Sequence, residues 1–390
     1  MKKVLIVNKS FETGGIQSSM VNMANALAKY CDVDLFLYNP EGPMKERLNS
    51  SITVLPVSWR FRAVGMTLKQ AVCSKDIRII AFRIFISIWT KLFTNQFPID
   101  RAIKHQGKLP GYDMAIAFHQ ERRKKSVVSG FARAVDQLTD AKVKIAWIHY
   151  DSAALDLDHA YNEAFYHRMD KIFCVSRSVM ESFKKTYPAL AEKMDYCYNF
   201  MDYEKILAQS ELPQEQKYPD NQFICFSACR LVKEKALVRA IKSLAPVFRE
   251  YADVLWYIAG SGAERSAIEQ AIEEEALADR IILLGNQTNP YPYMRNANLV
   301  MNVSYHEAAP MVFLEARALG RPVFATKTSS AMELLNVGVD AFICENTEEG
   351  IFARFSELMS DRGKITCAEM NLRNLSVTNQ DSLEKILSLL

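Results

Sequence analysis

The sequence predicts an α/β protein built from two consecutive doubly wound domains. With 390 residues, the chain is too long for one ordinary hydrophobic core and suits two domains of roughly 150 to 200 residues each. Short apolar runs of strand length alternate with stretches of helical periodicity, and the alternation pauses once at a polar segment before it resumes. Such alternation indicates parallel sheets covered by helices on both faces.

In the first domain, a strand, a glycine loop and a helix follow one another. Gly14 and Gly15 lie in the polar loop after the first apolar run, and residues 16–28 carry apolar side chains at helical spacing. A second helix is predicted over residues 178–185. The predicted strands of this domain are residues 4–7, 33–37, 52–57, 114–118, 144–148 and 171–175.

A second alternation of strands and helices is predicted to begin after residues 212–222, a polar segment with two prolines that has the composition of the end of an interdomain linker. Ligands of doubly wound sheets bind outside the carboxyl ends of the strands, so we expect the site in a cleft between the domains. The predicted domains are residues 1–203, residues 204–370, and a C-terminal helix in 371–390 that packs back on the first domain. The predicted strands of the second domain are residues 223–228, 254–259, 281–284, 299–303, 322–326 and 341–344.

Composition excludes disorder and membrane-spanning helices. The chain is 49% hydrophobic and 24% charged, as in globular proteins. The first apolar run reaches Asn8 too soon for a signal peptide, and the run at 77–89 is interrupted by Arg78 and Arg83 and is shorter than the roughly 20 residues that span a bilayer. Eight scattered cysteines lack the paired spacing of a zinc site. We therefore expect a cytoplasmic protein with reduced thiols and no metal.

Charge is distributed unevenly along the chain. Lys and Arg exceed Asp and Glu by ten in residues 1–200, whereas the acids are in excess by seven in the remainder. Residues 60–104 contain nine Lys or Arg against two acids, interleaved with aromatic and aliphatic residues. This basic amphipathic segment suits peripheral docking on an anionic membrane to reach a lipid-linked acceptor. A helix packed on its own sheet with its basic side in water is the alternative.

Residues 304–326 (SYHEAAPMVFLEARALGRPVFAT) carry two glutamates, Glu307 and Glu315, between two predicted strands. Pro310 suits the first turn of a helix, so Glu307 is expected in the preceding loop and Glu315 within the helix. The two carboxylates can therefore contact different parts of one ligand. Backbone amides and the positive end of the helix would attract a diphosphate. The residues at this helix start are Ala309, Pro310, Met311 and Val312.

This stretch resembles glycosyltransferase family 4, a retaining group in which a Glu, seven residues and a second Glu precede a Gly, Lys or Arg, Pro, Val tail. Gly320 to Val323 match that tail. The resemblance implies the GT-B fold, in which two Rossmann-like domains face each other across a cleft, the first binding the acceptor and the second the donor. It also implies that Glu307 contacts the hydroxyls of the donor sugar and that Glu315 accepts hydrogen bonds from the ribose.

Two cations lie in the segment SACRLVKEKA, residues 227–236, in the turn after a predicted strand and at the start of the next helix. Arg230 and Lys235 are five residues apart and can reach one pyrophosphate, and the family has an Arg and a Lys in these places. Cys229 and Ala236 replace the glycines of the family pattern. Because the leaving diphosphate gains charge in the transition state, the two cations could replace a metal ion.

Three further features correspond to donor contacts in the family. Gly260 opens a Gly-Ser-Gly turn that matches a family motif, although a tight strand-to-helix turn needs glycine whatever its function. Asn286 lies on the loop where relatives hold the base. Gly14 and Gly15 lie where relatives place a double glycine beside the donor phosphates.

A histidine near the reacting sugar is also implied, and two positions are candidates. His149 follows predicted strand 144–148 and precedes Asp151, whereas His119 ends the preceding strand. His149 is the preferred catalytic candidate, but the choice between the two histidines stays open.

The resulting prediction is a retaining, metal-independent glycosyltransferase that moves a sugar from a nucleotide-sugar, expected to be a UDP-sugar, to a glycan or lipid-linked acceptor in bacterial surface polysaccharide synthesis. The alternatives are a GT-B epimerase and a non-catalytic GT-B subunit that binds a partner transferase or a glycan. Ala308, at the usual glycine position of the motif, keeps the second alternative open. A dinucleotide oxidoreductase is disfavoured because no GxGxxG follows the first strand, and no nucleic-acid partner is expected.

Overall fold

The computed structural model describes residues 1–150, 159–373 and 375–390. The chain divides into two compact units, the first comprising Met1–Met201 and Asn379–Leu390 and the second Asp202–Thr378. Each unit contains one sheet, and all strand pairings among the described residues are parallel. The predicted α/β architecture of two parallel sheets is confirmed.

Unit 1 has a seven-stranded sheet in the order β3-β2-β1-β4-β5-β6-β7. Its strands are β1 (Lys3–Ser10), β2 (Asp32–Asn39), β3 (Thr53–Val54), β4 (Met114–Ala117), β5 (Val143–Ile148), β6 (Lys171–Cys174) and β7 (Met194–Tyr196). Its helices up to β7 are α1 (Gly15–Leu27), α2 (Trp59–Gly65), α3 (Leu68–Cys73), α4 (Ile77–Leu92), α5 (Gln96–Gln106), α6 (Phe131–Leu138), α7 (His159–Tyr166) and α8 (Arg177–Thr186).

Unit 2 has a six-stranded sheet in the order β10-β9-β8-β11-β12-β13. Its strands are β8 (Phe223–Ala228), β9 (Val254–Ala259), β10 (Ile281–Gly285), β11 (Leu299–Asn302), β12 (Val323–Thr326) and β13 (Ala341–Cys344). Its helices are α9 (Tyr203–Ser210), α10 (Leu237–Glu250), α11 (Arg265–Glu274), α12 (Tyr291–Asn296), α13 (Met311–Ala318), α14 (Ser329–Leu334), α15 (Glu348–Ser360) and α16 (Gly363–Arg373). The last helix, α17 (Gln380–Leu387), belongs to unit 1.

The central strands form because both of their faces are covered. In β1, Val4, Leu5, Ile6 and Val7 are all fully buried, which explains why this strand is a continuous apolar run. The order of each sheet reverses beside its first strand, between β1 and β4 in unit 1 and between β8 and β11 in unit 2. Such a reversal opens a crevice at the carboxyl ends of the two strands, where ligands of this architecture bind.

In unit 1, the first strand and the two edge strands differ from the prediction. β1 extends to Ser10, which shortens the loop before Gly14. The strand expected over 52–57 is reduced to Thr53–Val54, a two-residue edge strand followed by Leu55 and Pro56. β7 was not predicted, because its three residues carry no apolar run.

The first unit is predicted to end at residue 203 and ends at Met201, but the predicted linker is part of a folded unit. Residues 212–222, interpreted above as the end of a linker, lie inside unit 2. They are held there because Tyr218 packs against Tyr257, with ring centres 4.6 Å apart, and the Tyr218 hydroxyl donates to the Tyr293 carbonyl oxygen at 3.0 Å. Residues 371–378 likewise belong to unit 2.

Helix α17 is tied to unit 1 by polar contacts around its first turn and its middle. The Asn379 amide donates to the Met201 carbonyl oxygen at 2.7 Å, and Lys385 pairs with Asp195 at 3.2 Å. Leu383 and Ile386 are buried. Within the described ranges, every helix is too short or too polar to cross a bilayer. All eight cysteines are free.

Candidate active site

The predicted glutamate and the two predicted cations lie on neighbouring loops of unit 2. Arg230 and Lys235 follow β8, and Glu307 follows β11, which pairs directly with β8. In a parallel sheet, adjacent strands deliver their following loops to the same edge. The structure therefore places these residues at the topological switch point of the unit 2 sheet.

Glu307 is held by three donors before any ligand binds. Its Oε1 atom accepts hydrogen bonds from Lys235 Nζ at 2.5 Å, Ser304 Oγ at 2.7 Å and Asn302 Nδ2 at 3.2 Å. The Glu307 side chain is 9% exposed and that of Lys235 is 18% exposed, so this ion pair is shielded from water. Because all three donors contact Oε1, the described residues leave Oε2 to accept a hydrogen bond from a ligand.

The backbone of the same loop is anchored by the end of β12 and by the first turn of α14. Ser330 Oγ donates to the Glu307 carbonyl oxygen at 3.0 Å, and Thr326 Oγ1 donates to the Ser304 carbonyl oxygen at 2.6 Å. Both the carboxylate and its backbone are thus fixed, which is the preorganisation that a ligand-orienting group requires.

A buried arginine supports the segment that leads to Glu307. Arg239 donates to the Val303 carbonyl oxygen at 3.0 Å and to Asn346 Oδ1 at 2.7 Å. Its guanidinium lies 4.1 Å from the centre of the Tyr305 ring. Sequence reasoning missed Arg239, Asn302 and Ser304.

The loop that carries Arg230 is attached to the loop after β9, which is attached in turn to the end of β10. Leu231 N donates to the Ser261 carbonyl oxygen at 2.9 Å, and Gly260 N donates to the Gly285 carbonyl oxygen at 2.7 Å. A Cβ atom on Gly260 would overlap the carbonyl oxygen of Cys229, and one on Gly262 would overlap that of Leu231. Packing between loops therefore explains both glycines, and contact of Gly260 with a ligand stays a prediction.

Ala236 and Cys229, at positions where the family pattern has glycine, differ in backbone conformation. Ala236 has a φ of +53°, a left-handed conformation that costs an alanine about 1 kcal/mol relative to glycine. Cys229 has no positive φ, so the side chain there meets no such penalty. Burial raises the pKa of the Cys229 thiol to about 11, so the thiol is neutral at neutral pH and is not a nucleophile.

The other donor-binding candidates of unit 2 lie along the same edge. Pro310 is the N-cap of α13, whereas the sequence predicts it in the first turn. Its ψ of 124° is extended, and the helix begins at Met311. Ala309 precedes the helix and Val312 lies in its first turn, as predicted from the sequence. Asn286 is exposed directly after β10.

Glu315 lies inside α13, whereas Glu307 lies in the loop before it, as the sequence predicts. Glu315 Oε1 accepts a hydrogen bond from the Tyr291 hydroxyl at 3.2 Å. Tyr291, on α12, was not singled out in the sequence. Arg230 is exposed and makes no ion pair with the described residues.

In unit 1, the double glycine forms the start of α1 at the end of β1. Gly14 is the N-cap and Gly15 is the first residue of the helix, and both are exposed. No side chain caps this helix.

Both candidate histidines are buried at the carboxyl ends of adjacent strands. Burial, with the Arg122 charge, lowers the pKa of His119 to about 4, and its ring stacks on Phe131 at 4.7 Å between centres. Burial and the neighbouring His119 lower the pKa of His149 well below its usual value. Each ring is therefore neutral near pH 7 and can exchange hydrogen bonds but supplies no charge. Asp151 lies outside the described residues.

Gln120, between the two strand ends, fixes the backbone around His149. Its Oε1 atom accepts hydrogen bonds from His149 N at 2.9 Å and from Tyr150 N at 2.8 Å. Among the described residues, no group of three or more His, Cys, Asp or Glu side chains is arranged to hold a metal.

Comparison with solved structures defines the class of fold. The chain is similar to HepE of Anabaena in complex with UDP, with a TM-score of 0.70 and 18% identity over 100% of this chain and 99% of that chain. It is also similar to WaaG, a glycosyltransferase involved in lipopolysaccharide biosynthesis, with a TM-score of 0.59 and 16% identity over 99% of each chain. The protein therefore has the GT-B fold.

Sequence comparison identifies the second unit more closely. The family described as Glycosyl transferases group 1 matches residues 208–374. Lipopolysaccharide core biosynthesis glycosyltransferase LpsD of Rhizobium meliloti is 28% identical over 144 residues, which are 37% of this chain and 41% of that protein. N-acetyl-alpha-D-glucosaminyl L-malate synthase of Bacillus anthracis is 25% identical over 168 residues, which are 42% of this chain and 44% of that protein. The chain thus matches less than half the length of these relatives, and the family match is confined to residues 208–374, which cover most of unit 2.

Proposed function

We propose that the protein is a retaining glycosyltransferase of family 4 that transfers a sugar from a nucleotide-diphosphate-sugar to a glycan or lipid-linked acceptor in bacterial surface polysaccharide synthesis. One observation carries the proposal: Glu307 and Lys235 form a shielded ion pair at the switch point of the unit 2 sheet, with Arg230 on the same loop as Lys235. A fixed carboxylate beside two cations suits a ligand that combines sugar hydroxyls with a diphosphate.

The diphosphate would bind Arg230 and Lys235. Charge-assisted hydrogen bonds to a phosphate are worth about 1.5 to 3 kcal/mol each, and they strengthen as the leaving group gains charge. The two cations thereby supply the stabilisation that a metal ion gives elsewhere, so we propose that transfer is metal-independent. Glu307 Oε2 would accept from a sugar hydroxyl while Oε1 keeps its contacts with Ser304 and Asn302.

The remaining contacts extend the donor site along the unit 2 edge. The start of α13, from Ala309 to Val312, would bind phosphate oxygens through backbone amides. Glu315 would accept hydrogen bonds from the ribose, and the loop of Asn286 would contact the base. Gly260 shapes the turn beneath this loop.

We propose that the anomeric configuration is retained because the diphosphate departs from, and the acceptor oxygen attacks, the same face of the sugar. The bond between the anomeric carbon and the diphosphate oxygen breaks, the acceptor oxygen bonds to that carbon, and the acceptor proton passes to the leaving phosphate. His149 would donate a hydrogen bond to a sugar hydroxyl or position the acceptor, and the Gly14 and Gly15 loop would contact the donor phosphates. A trapped covalent adduct between sugar and protein would contradict this route.

The donor, acceptor and location are argued from the comparisons and from charge. HepE has been solved with UDP and with UDP-glucose, which supports a UDP-sugar donor. A Campylobacter jejuni relative, 27% identical over 198 residues, transfers N-acetylgalactosamine to a diphospho-undecaprenol-linked sugar, as its name states. This supports a lipid-linked acceptor and a cytoplasmic protein in peripheral contact with an anionic membrane through residues 60–104.

A thermal-shift panel tests the donor site. UDP-, GDP-, ADP- and CDP-sugars are compared in the presence of EDTA, with wild type, an Arg230→Ala, Lys235→Ala double variant and a Lys233→Ala control. Lys233 is an exposed residue in the same turn and is absent from the proposed site. We expect a UDP-sugar to raise the Tm of wild type and control but not of the double variant.

Absence of a shift with every donor would contradict the proposal and would favour the non-catalytic subunit. Turnover without acceptor to an isomerised nucleotide-sugar would favour the epimerase. The anomeric configuration of the product, read from the proton coupling constant of the new linkage, tests retention separately.

A further inference from the structure

Unit 1 carries a dense group of exposed apolar side chains between α3 and the start of α5. Nine of the 21 large hydrophobic residues that are exposed among the described residues fall within residues 68–97. Single exposed apolar residues are normal, whereas a contiguous group marks an interaction surface. The nine residues, which we call the α4 patch, are Leu68, Val72, Ile77, Ile84, Phe85, Ile88, Leu92, Phe93 and Phe97.

Helix α4 is apolar on two opposite sides. Ile79 and Ile86 are buried on its inner side, where the helix packs on α2 and α3. On its outer side, the spacing of Ile77, Ile84 and Ile88 places them in one row, because residues seven and eleven positions apart lie on one face of a helix. Those three side chains are 45% to 75% exposed. A surface helix packed on one side is normally polar on the other, and α4 departs from that rule.

The aromatic members of the patch are joined through one tryptophan. The Trp89 ring lies 5.6 Å from Phe85, 4.7 Å from Phe93 and 4.8 Å from Phe97, measured between ring centres. These contacts connect α4 with the first turn of α5 into one continuous apolar surface. Aromatic rings that remain half exposed are typical of surfaces that meet the boundary between water and lipid.

Cations lie beside the patch, and the two neighbouring acids are paired. Lys91 is exposed on α4, and the Arg101 guanidinium lies 5.1 Å from the Phe97 ring centre. Asp76 caps α4 and pairs with Arg78 at 2.8 Å, and Asp100, next to Arg101, pairs with Arg133 at 3.3 Å. The patch therefore presents apolar side chains framed by positive charge.

The structure adds a second basic segment that lies outside residues 60–104. Asn95, between α4 and α5, donates from Nδ2 to the Ser126 carbonyl oxygen at 2.9 Å and from its backbone N to the Lys124 carbonyl oxygen at 2.6 Å. These bonds hold the sequence RRKK, residues 122–125, beside the end of α4. Arg122 and Lys125 are exposed there.

We propose that the α4 patch docks the protein on an anionic lipid bilayer, with its apolar side chains entering the headgroup boundary and the basic loop 122–125 contacting lipid phosphates. In a dimer formed through this patch, the cations of the two copies would lie close together, and repulsion between like charges disfavours that pairing. The inference refines the membrane contact proposed above. It is independent of the sugar-transfer chemistry, because lipid binding and donor binding are measured separately.

Vesicle flotation tests the docking surface. Vesicles of phosphatidylcholine alone and of equal parts phosphatidylcholine and phosphatidylglycerol are mixed with wild type, an Ile88→Glu, Leu92→Glu variant and a Leu207→Glu, Phe352→Glu control. The control changes two exposed apolar residues of unit 2. We expect wild type and control to float with the anionic vesicles, and the patch variant to bind them about 100-fold more weakly.

The role of the cations beside the patch is tested with a Lys91→Gln, Arg101→Gln double variant. It should bind the anionic vesicles more weakly than wild type, by about fivefold for each charge removed. Failure of wild type to float at low salt, or equal loss in the control, would overturn the proposal. A wild-type dimer that becomes monomeric in the patch variant, with no lipid binding, would assign the surface to a second copy instead. Circular dichroism establishes that each variant is folded.

Discussion

The Glu307 carboxylate accepts hydrogen bonds from Asn302 and Ser304, which are five and three positions before it in the sequence, and from Lys235, which is 72 positions before it. The motif that contains Glu307 was recognisable in the sequence, as were Arg230 and Lys235. Asn302 and Ser304 were not, because their types are common at strand ends and only the fold turns them towards the carboxylate. Partners of a known residue are thus harder to predict than the residue itself.

Ser304 provides a test of this positioning. Ser304→Ala removes one of three donors to Glu307, and we expect kcat/KM to fall about tenfold, which corresponds to about 1.4 kcal/mol. Ser227→Ala is the matched control, since Ser227 is equally buried and donates to the Met301 carbonyl oxygen away from Glu307. Equal losses of activity in the two variants would show that Ser304 matters only for stability.

His119 makes the stability of the protein depend on pH. Its pKa of about 4 in the folded chain lies below the unfolded value of about 6.5, so only the unfolded state takes up the proton between these values. Stability is therefore full above about pH 6.5 and falls on acidification, by about 1.3 kcal/mol for this group between pH 7.5 and 5.5. Urea unfolding at the two pH values should show a smaller loss for His119→Phe than for wild type. His306→Gln, at an exposed position, should behave as wild type.

At the scale of elements, strand prediction succeeded where burial on both faces produces a continuous apolar run. Strands β8, β9 and β13 begin and end where the sequence predicts. In unit 1, the edge strand β7 was missed because its three residues carry no apolar run. The other edge strand, β3, was overestimated because the apolar residues after Val54 include Pro56, which cannot donate a backbone hydrogen bond to a sheet. The basic segment 60–104 had two interpretations in the sequence. The structure shows that α4 packs on its neighbours and still exposes an apolar side, and docking on a membrane stays a proposal.

The turn after β9 gives a prediction for the loop cluster of unit 2. We expect Gly262→Ala to destabilise the protein by about 3 kcal/mol, because its new methyl group would overlap the Leu231 carbonyl oxygen. Gly107→Ala is the comparison: that residue has a φ of +79° but no neighbour within 4 Å, so only backbone strain of about 1 kcal/mol is expected. Chemical denaturation measures both. A Gly262→Ala cost no greater than that of Gly107→Ala would show that the loops separate easily.

At the scale of the whole molecule, the sequence indicated two units with a boundary after residue 203, close to the observed boundary after Met201, but it assigned residues 212–222 to a linker. Helix α9 precedes the polar segment 212–222 and yet belongs to unit 2, where it packs on α12 and α13. Polar composition suggested a linker, and the tyrosine contacts that hold Tyr218 have no signature in the sequence.

Helix α17 permits a test of each unit by itself. Ile386 is fully buried in unit 1, so we expect Ile386→Ala to cost unit 1 about 3 kcal/mol, while the midpoint of donor titration on unit 2 stays unchanged. Limited proteolysis with mass spectrometry locates the cleavages, which should appear first in residues 1–201. Leu375→Ala, at an exposed site in unit 2, should leave the cleavage pattern of wild type. Cleavage that starts in unit 2 would contradict the assignment.

The return of α17 to unit 1 also sets an order of events during biosynthesis. Because α17 is translated after all of unit 2, the ribosome must synthesise residues 202–378 before unit 1 can acquire its last helix. Unit 2 is a continuous segment and needs no later part of the chain for its own fold. In a nascent chain, the residues of unit 1 that contact α17, among them Asp195 and Met201, would thus lack their partners until α17 leaves the ribosome.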